Sequence, residues 1–250
     1  MTLASFFFAL GLGGCVLLTS MISAVFGMAG GLILMLILGV LLPVPAAMVL
    51  HGVTQMVSNG WRAFLWRDWI AWGILSRYAI GAAPAALIPL ALVFVPSKPA
   101  MLIMLGLVPF LALMIPASMQ LDALKPSHAY ACGFSVAGVQ IMAGVAGPLL
   151  DTFFVRSSLD RRAVVATKAA TQTLSHIMKV AYYGTLASVS ADLTPSIFTA
   201  SILAAIAGTT LAAPILEKMT DASFRKWTQT IVLITGGASI AQGLWFWLTP

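Results

Sequence analysis

The sequence predicts an all-α, polytopic integral membrane protein made of two inverted repeats of about five segments each, with broken or half helices. Three observations carry that prediction. First, 60% of the 250 residues are hydrophobic and 8% are charged, whereas a soluble domain carries roughly 25% charge. Second, two apolar stretches are interrupted by glycine runs, GMAGG at 27–31 and GVAGP at 144–148. Third, the sequence around one interruption recurs around the other. Gly27–Phe64 aligns without a gap on Gly144–Ala181: GMAGGL meets GVAGPL, Ala46 meets Ala163, Thr54-Gln55 meets Thr171-Gln172, and Ser58 meets Ser175. Shared Gly, Ala and Leu are weak evidence in such a composition. The Thr-Gln-x-x-Ser match at one register makes the case for a repeat.

The mean hydropathy of +1.01 suits lipid. The net charge of +6 is spread over short loops and helix ends, which fits membrane orientation better than nucleic-acid binding. Cys15 and Cys132 both lie in apolar segments and are too few for a disulfide framework or a zinc site. The first Lys or Arg is Arg62, so the stretch before it lacks the charged start of a signal peptide. It is expected to be retained as the first membrane helix.

Taken in order, the apolar segments run 3–25, 27–42, 46–66, 69–95, 99–117, 128–143, 145–156, 161–184, 194–216 and 223–248. A membrane span needs about 20 apolar residues. The third, fourth, fifth, eighth, ninth and tenth segments reach or approach that length. The second and seventh are too short to cross unaided, and each begins at a glycine interruption. They read as half-helices, either re-entrant or packed inside the bundle. Irregular backbone at membrane depth must be buried in protein or line a cavity, so GMAGG is not expected to face lipid.

The whole chain, 1–250, reads as one membrane domain, with the first repeat at 1–117 and the second at 127–250. Five segments per repeat give the second copy the opposite orientation. Charge agrees: Arg156, Arg161 and Arg162 crowd the turn before the eighth segment, while the equivalent turn, Pro43-Val44-Pro45, has none. The positive-inside tendency makes the arginine turn cytoplasmic. The loop at 185–193, without Lys or Arg, then falls outside, and the loop with Lys218, Arg225 and Lys226 falls inside. Arg67 and Lys125 are also cytoplasmic, Lys98 dissents, and both termini are outside.

Inverted repeats with broken helices are a transporter signature, with the ligand at the repeat interface facing half-helix N-termini. Gly30-Gly31 and Gly147-Pro148 would each start a helix inside the membrane with free backbone N–H groups. Proline in a first helical turn loses no hydrogen bond. Two such N-termini, each worth about half a positive charge, form an anion site; the same glycines could instead serve close helix packing. Polar residues point the same way. His51, Thr54, Gln55, Ser58 and Arg62 share one helical face, matched by Lys168, Thr171, Gln172, Ser175 and Lys179, with Asn59 and His176 beside them. The candidate substrate-binding set is therefore Gly30, Gly31, His51, Thr54, Gln55, Gly147, Lys168, Thr171, Gln172 and Ser175. Lys168 lies about 10 Å along its helix from Arg161 and reads as a ligand or pathway residue, with a snorkelling anchor as the alternative. Arg62 and Lys179 lie nearer helix ends and read as anchors. Interhelical bonding is the competing role for the Thr-Gln pairs. Asp151 is the candidate for proton coupling or for pairing with Lys168.

Over essentially its whole length the chain resembles the sulfite exporter TauE/SafE family, also called the four-toluene-sulfonate uptake permease family. The resemblance rests on GMAGGLILMLILGVLLPVPAAMVLHGVTQ and its second copy, GVAGPLLDTFFVRSSLDRRAVVATKAATQTLSHIMKVAYYG. It implies a membrane transporter, an exporter in the first instance, of small sulfur-containing anions such as sulfite, sulfoacetate or other organosulfonates, in a bacterial inner membrane. The expected partners are that anion and the lipid bilayer, without nucleic acid, and no oligomeric state is specified. The alternatives are a transporter of another small anion, such as a carboxylate, or of a metal or other cation. Asp151 is the one clear carboxylate in an apolar segment, where a cation path calls for acidic rings or carbonyls. No GxSxG, HExxH or paired carboxylates point to an enzyme, and no cofactor or metal is implied.

Overall fold

A computed structural model describes residues 3–119, 121–186, 193–212, 215 and 221–249. Most of the expected outer loop at 185–193, and Lys218 of the expected inner loop, lie outside these residues, as does the Arg225 side chain. Among the described residues the chain is all-helical, with no strand. The helices are α1 (Leu3–Phe26), α2 (Ala29–Leu41), α3 (Val44–Leu65), α4 (Trp72–Leu92), α5 (Lys98–Met114), α6 (Pro126–Ala143), α7 (Gly147–Phe154), α8 (Arg161–Leu186), α9 (Pro195–Leu211) and α10 (Asp221–Leu248). A 3-10 turn, Arg67–Trp69, leads into α4.

Proline sets several starts. It occupies the first or second position of α3, α5, α6, α7 and α9, where its missing N–H would have had no intrahelical partner. Ser97 adds a side-chain cap to α5, accepting from the Ala100 N–H at 3.4 Å. Glycine sets two stops. Gly27 and Gly144 follow α1 and α6 with φ of +67° and +84°, a conformation in which a Cβ is strained. These two glycines are the aligned first residues of the two matched stretches.

The expected half-helices are present as short helices. α2 has 13 residues and α7 has 8, so they span about 20 Å and 12 Å against a hydrocarbon core of about 30 Å. By length and composition, one run, Lys226–Leu248, is long and apolar enough to cross a membrane among the described residues. α3 and α8 reach spanning length, with 22 and 26 residues. Their polar faces lower their mean hydropathy, which is why neither of these two passes on apolarity.

The main packing pairs are α3 on α8, α4 on α6, α5 on α10 and α1 on α9. α2 lies against α1, α3, α5 and α10, and α7 against α5, α6 and α8. Both short helices are therefore enclosed by the bundle. The largest core cluster joins Leu32, Leu34, Met35 and Leu38 of α2 to Met48 and Leu50 of α3 and to Met101, Leu102 and Leu105 of α5.

Candidate functional site

The two helix breaks meet. A methyl group at Gly147 would sit 2.4 Å from Met28 Cβ, so glycine there permits direct contact between the start of α7 and the start of α2. Gly30 answers a different need. A methyl group on it would lie 1.9 Å from the Thr19 carbonyl oxygen of α1, so this glycine serves close packing of α1 on α2.

Where the breaks meet, a small cavity is lined by Met28, Gly31, Val145 and Gly147 from the breaks. His51 and Gln55 of α3, Gln140 of α6, and Gln172 and His176 of α8 complete it. It offers about 10 Å³ to a water-sized sphere, room for one water at most. The conformation is thus contracted around the site.

The repeat-equivalent glutamines have the most telling placement. Gln55 is buried, and its Nε2 has no hydrogen-bond partner. Gln172 lines the same cavity and makes no side-chain hydrogen bond among the described residues. An unpaired buried amide costs about 1–3 kcal/mol, and its N–H groups call for an acceptor.

Behind the cavity a hydrogen-bond chain ties the two breaks together. The Gly31 carbonyl lies 2.9 Å from His51 Nε2. A carbonyl only accepts, so Nε2 carries the proton and Nδ1 is an acceptor. Lys179 Nζ lies 2.7 Å from that Nδ1 and donates to it, and it also donates to the Gly144 carbonyl at 2.9 Å. Gln140 Nε2 donates to the same carbonyl at 2.8 Å and lies 3.1 Å from His176 Nδ1. Gln140 Oε1 accepts from the Ala146 N–H at 3.0 Å, satisfying a backbone donor at the N-cap of α7. The chain runs from one break to the other through a lysine with no exposed surface.

The remaining expected residues fall elsewhere. Thr54 and Thr171 donate to carbonyls of their own helices, Leu50 at 2.8 Å and Lys168 at 2.9 Å. Ser175 shares a 2.5 Å hydrogen bond with Tyr78 of α4, and its repeat equivalent Ser58 bonds Thr209 of α9 at 2.8 Å. These serines join helices. Lys168 is not among the residues around the cavity; it forms an ion pair with Asp151 of α7, and both side chains are partly exposed. Asp151 is thus placed by that pairing. Lys179, expected as an anchor, is instead buried between the breaks; Gly52 opposite lets this part of α8 come close, since a methyl group there would lie 2.5 Å from Val180 Cγ2 and 3.3 Å from Lys179 Cε. Arg62 donates to the Ser23 carbonyl of α1 at 3.1 Å. Gln140 and His176 were not in the expected set, although His176 sits beside the expected face of α8.

An apolar helical bundle with two short helices meeting at a buried, unpaired amide has the character of a membrane transport protein. The chain belongs to the sulfite exporter TauE/SafE family, whose pattern matches residues 12–239. The family is membrane-embedded and made up of transporters of small sulfur anions. No curated protein and no solved structure matches the chain.

Proposed function

We propose that this protein moves small sulfur-containing anions, such as sulfite, sulfoacetate or other organosulfonates, across a bacterial inner membrane by alternating access. The anion would sit between two inverted repeats, residues 1–117 and 127–250, held by the N–H groups of Gln55 and Gln172 and by the free amides that start α2 and α7. The single observation that carries this reading is the Gln55 amide, buried and unpartnered beside its repeat equivalent. Its N–H groups would donate to sulfur-bound oxygens. Lys179, bonded to His51 and to the Gly144 carbonyl, would hold both breaks in position behind that site.

The inverted-repeat part draws support from packing direction. His51 meets Lys179, while Ala63 clusters with Ala169 and Ala170, so α3 and α8 run antiparallel. Gly106 packs on Gly236 and Ile240, while Gly243 packs on Pro99 and Ile103, so α5 and α10 run antiparallel as well. Equivalent helices related by an axis in the membrane plane are antiparallel, and by an axis along the normal they are parallel. The pair α1 on α9 also has its exchanged counterpart in α4 on α6.

Because the cavity is contracted, entry of a four-atom anion requires the breaks to separate, as rocking of one repeat against the other would achieve. The pair of Lys168 and Asp151, on α8 and α7, is the candidate for coupling that movement to a proton. The test is efflux of labelled sulfite from proteoliposomes, with acetate and zinc as competitors. Sulfite efflux above that of empty liposomes, slowed by sulfonates and not by zinc, is expected. Faster movement of zinc or acetate than of sulfite overturns the assignment.

A further inference from the structure

A groove of about 400 Å³ lies on the outer surface between α4 and α8, away from the anion cavity. Trp72, Leu75 and Ala79 form one wall, and Ala170, Leu174 and Ile177 form the other. The two helices run in the same direction: the Ala71 N–H donates to Thr167 Oγ1 at 2.9 Å, and deeper in, Tyr78 bonds Ser175. The walls are therefore parallel and about 10 Å long, and their exposed side chains, Trp72 at 64% and Ile177 at 46%, are apolar.

Beyond the groove, toward the starts of α4 and α8, the surface is polar and carries Arg67 and Arg162 together with Asp68 and Asp160. The 3-10 turn Arg67–Trp69 packs against α8 there, and the Arg162 guanidinium lies 5.0 Å from the centre of the Trp69 ring. Arg162 is exposed and has no carboxylate partner among the described residues; the Asp160 carboxylate accepts instead from its backbone N–H, at 2.8 Å. Trp and Arg at a helix start mark the headgroup level of a bilayer, and basic sites between membrane helices suit anionic headgroups.

We propose that this groove binds one anionic phospholipid, its phosphate at Arg162 and Trp69 and one acyl chain laid along α4 and α8. The length of the walls accommodates the upper half of a chain, and the unpaired guanidinium selects for negative charge. The site rests on membrane embedding, not on which anion is transported.

The test uses the full chain purified in neutral detergent, with phosphatidylglycerol and phosphatidylcholine as probes. Bound lipid is counted by native mass spectrometry, and the melting temperature is followed during titration. One phosphatidylglycerol should be retained per chain, with a rise in melting temperature that phosphatidylcholine does not produce. Arg162→Gln removes the headgroup contact, and Ser76→Trp fills the groove from an exposed wall position. Each should weaken phosphatidylglycerol retention at least tenfold. Lys226→Gln, on α10, which packs mainly on α5, should leave it unchanged. Equal retention of both lipids, or parent-like phosphatidylglycerol retention in Arg162→Gln and Ser76→Trp, overturns the proposal. So does a groove that is filled by a second copy of the chain, seen as a dimer free of bound lipid.

Discussion

Lys179 carries the residue-scale argument. Its amine bonds His51 Nδ1 and the Gly144 carbonyl, so one side chain links both breaks. Lys168, about three turns earlier on the same face of α8, is already paired with Asp151 and partly exposed to screening solvent. Lys179→Met keeps the stem and removes the donor. It should weaken sulfite binding about tenfold or more, as expected for loss of a buried donor that positions both breaks, while Lys168→Met should change it by less than about threefold. Calorimetric Kd values for the two variants decide the matter, and the reverse order would return Lys168 to the site. Ser175→Ala makes the complementary case. It loses the bond to Tyr78, so the melting temperature should fall by the equivalent of about 1 kcal/mol with sulfite Kd unchanged; a weaker Kd would make Ser175 a ligand. Sequence alone pointed to the polar face of α8 but not to which lysine turns inward. That depends on Gly52 opposite, on His51 one helix away and on Asp151 competing for Lys168, none of which is a property of the linear order.

At the scale of elements the helix breaks were the most legible feature. Expected at 27–42 and 145–156, they form helices Ala29–Leu41 and Gly147–Phe154, because glycine in the left-handed region ends each preceding helix and, at α7 alone of the two, proline opens the next. What the glycines do individually was hidden. Gly27 has open space where a side chain would be, whereas Gly147 touches Met28 and Gly30 touches α1. Gly27→Ala should therefore cost only the left-handed backbone penalty, about 1–2 kcal/mol. Gly147→Ala should do more, pushing the two breaks apart and lowering both melting temperature and sulfite affinity. Thermal unfolding of both variants in one detergent checks the ranking. Equal losses would mean the breaks do not press on one another.

At the scale of the whole molecule, the repeat is visible in the sequence because Thr-Gln-x-x-Ser recurs at one register, and of those residues the two glutamines line one cavity. Its partner helices were not visible, because nothing in the sequence states that α1 packs on α9 and α4 on α6. The antiparallel packing of α3 on α8 brings Gly60 to Thr173, where a methyl group on Gly60 would lie 3.5 Å from Thr173 Cγ2. A Gly60→Cys, Thr173→Cys pair should cross-link on mild oxidation. If the repeats rock against each other, the oxidised protein should bind sulfite yet fail to release it across a proteoliposome membrane, and reduction should restore efflux. Full efflux in the cross-linked state would mean that transport proceeds without movement between α3 and α8.

The most direct test of the central claim, that the anion is held between Gln55 and Gln172, is the sulfite Kd of the Gln55→Ala, Gln172→Ala double variant. It should be measured by calorimetry alongside the melting temperature. Both amides are unpartnered in the contracted cavity, so removing them relieves an unsatisfied group and should leave the fold as stable as the parent or more so. Binding should nevertheless weaken by about 100-fold, from two lost hydrogen bonds to a charged ligand. A folded double variant that binds sulfite as tightly as the parent would place the anion elsewhere and contradict the account.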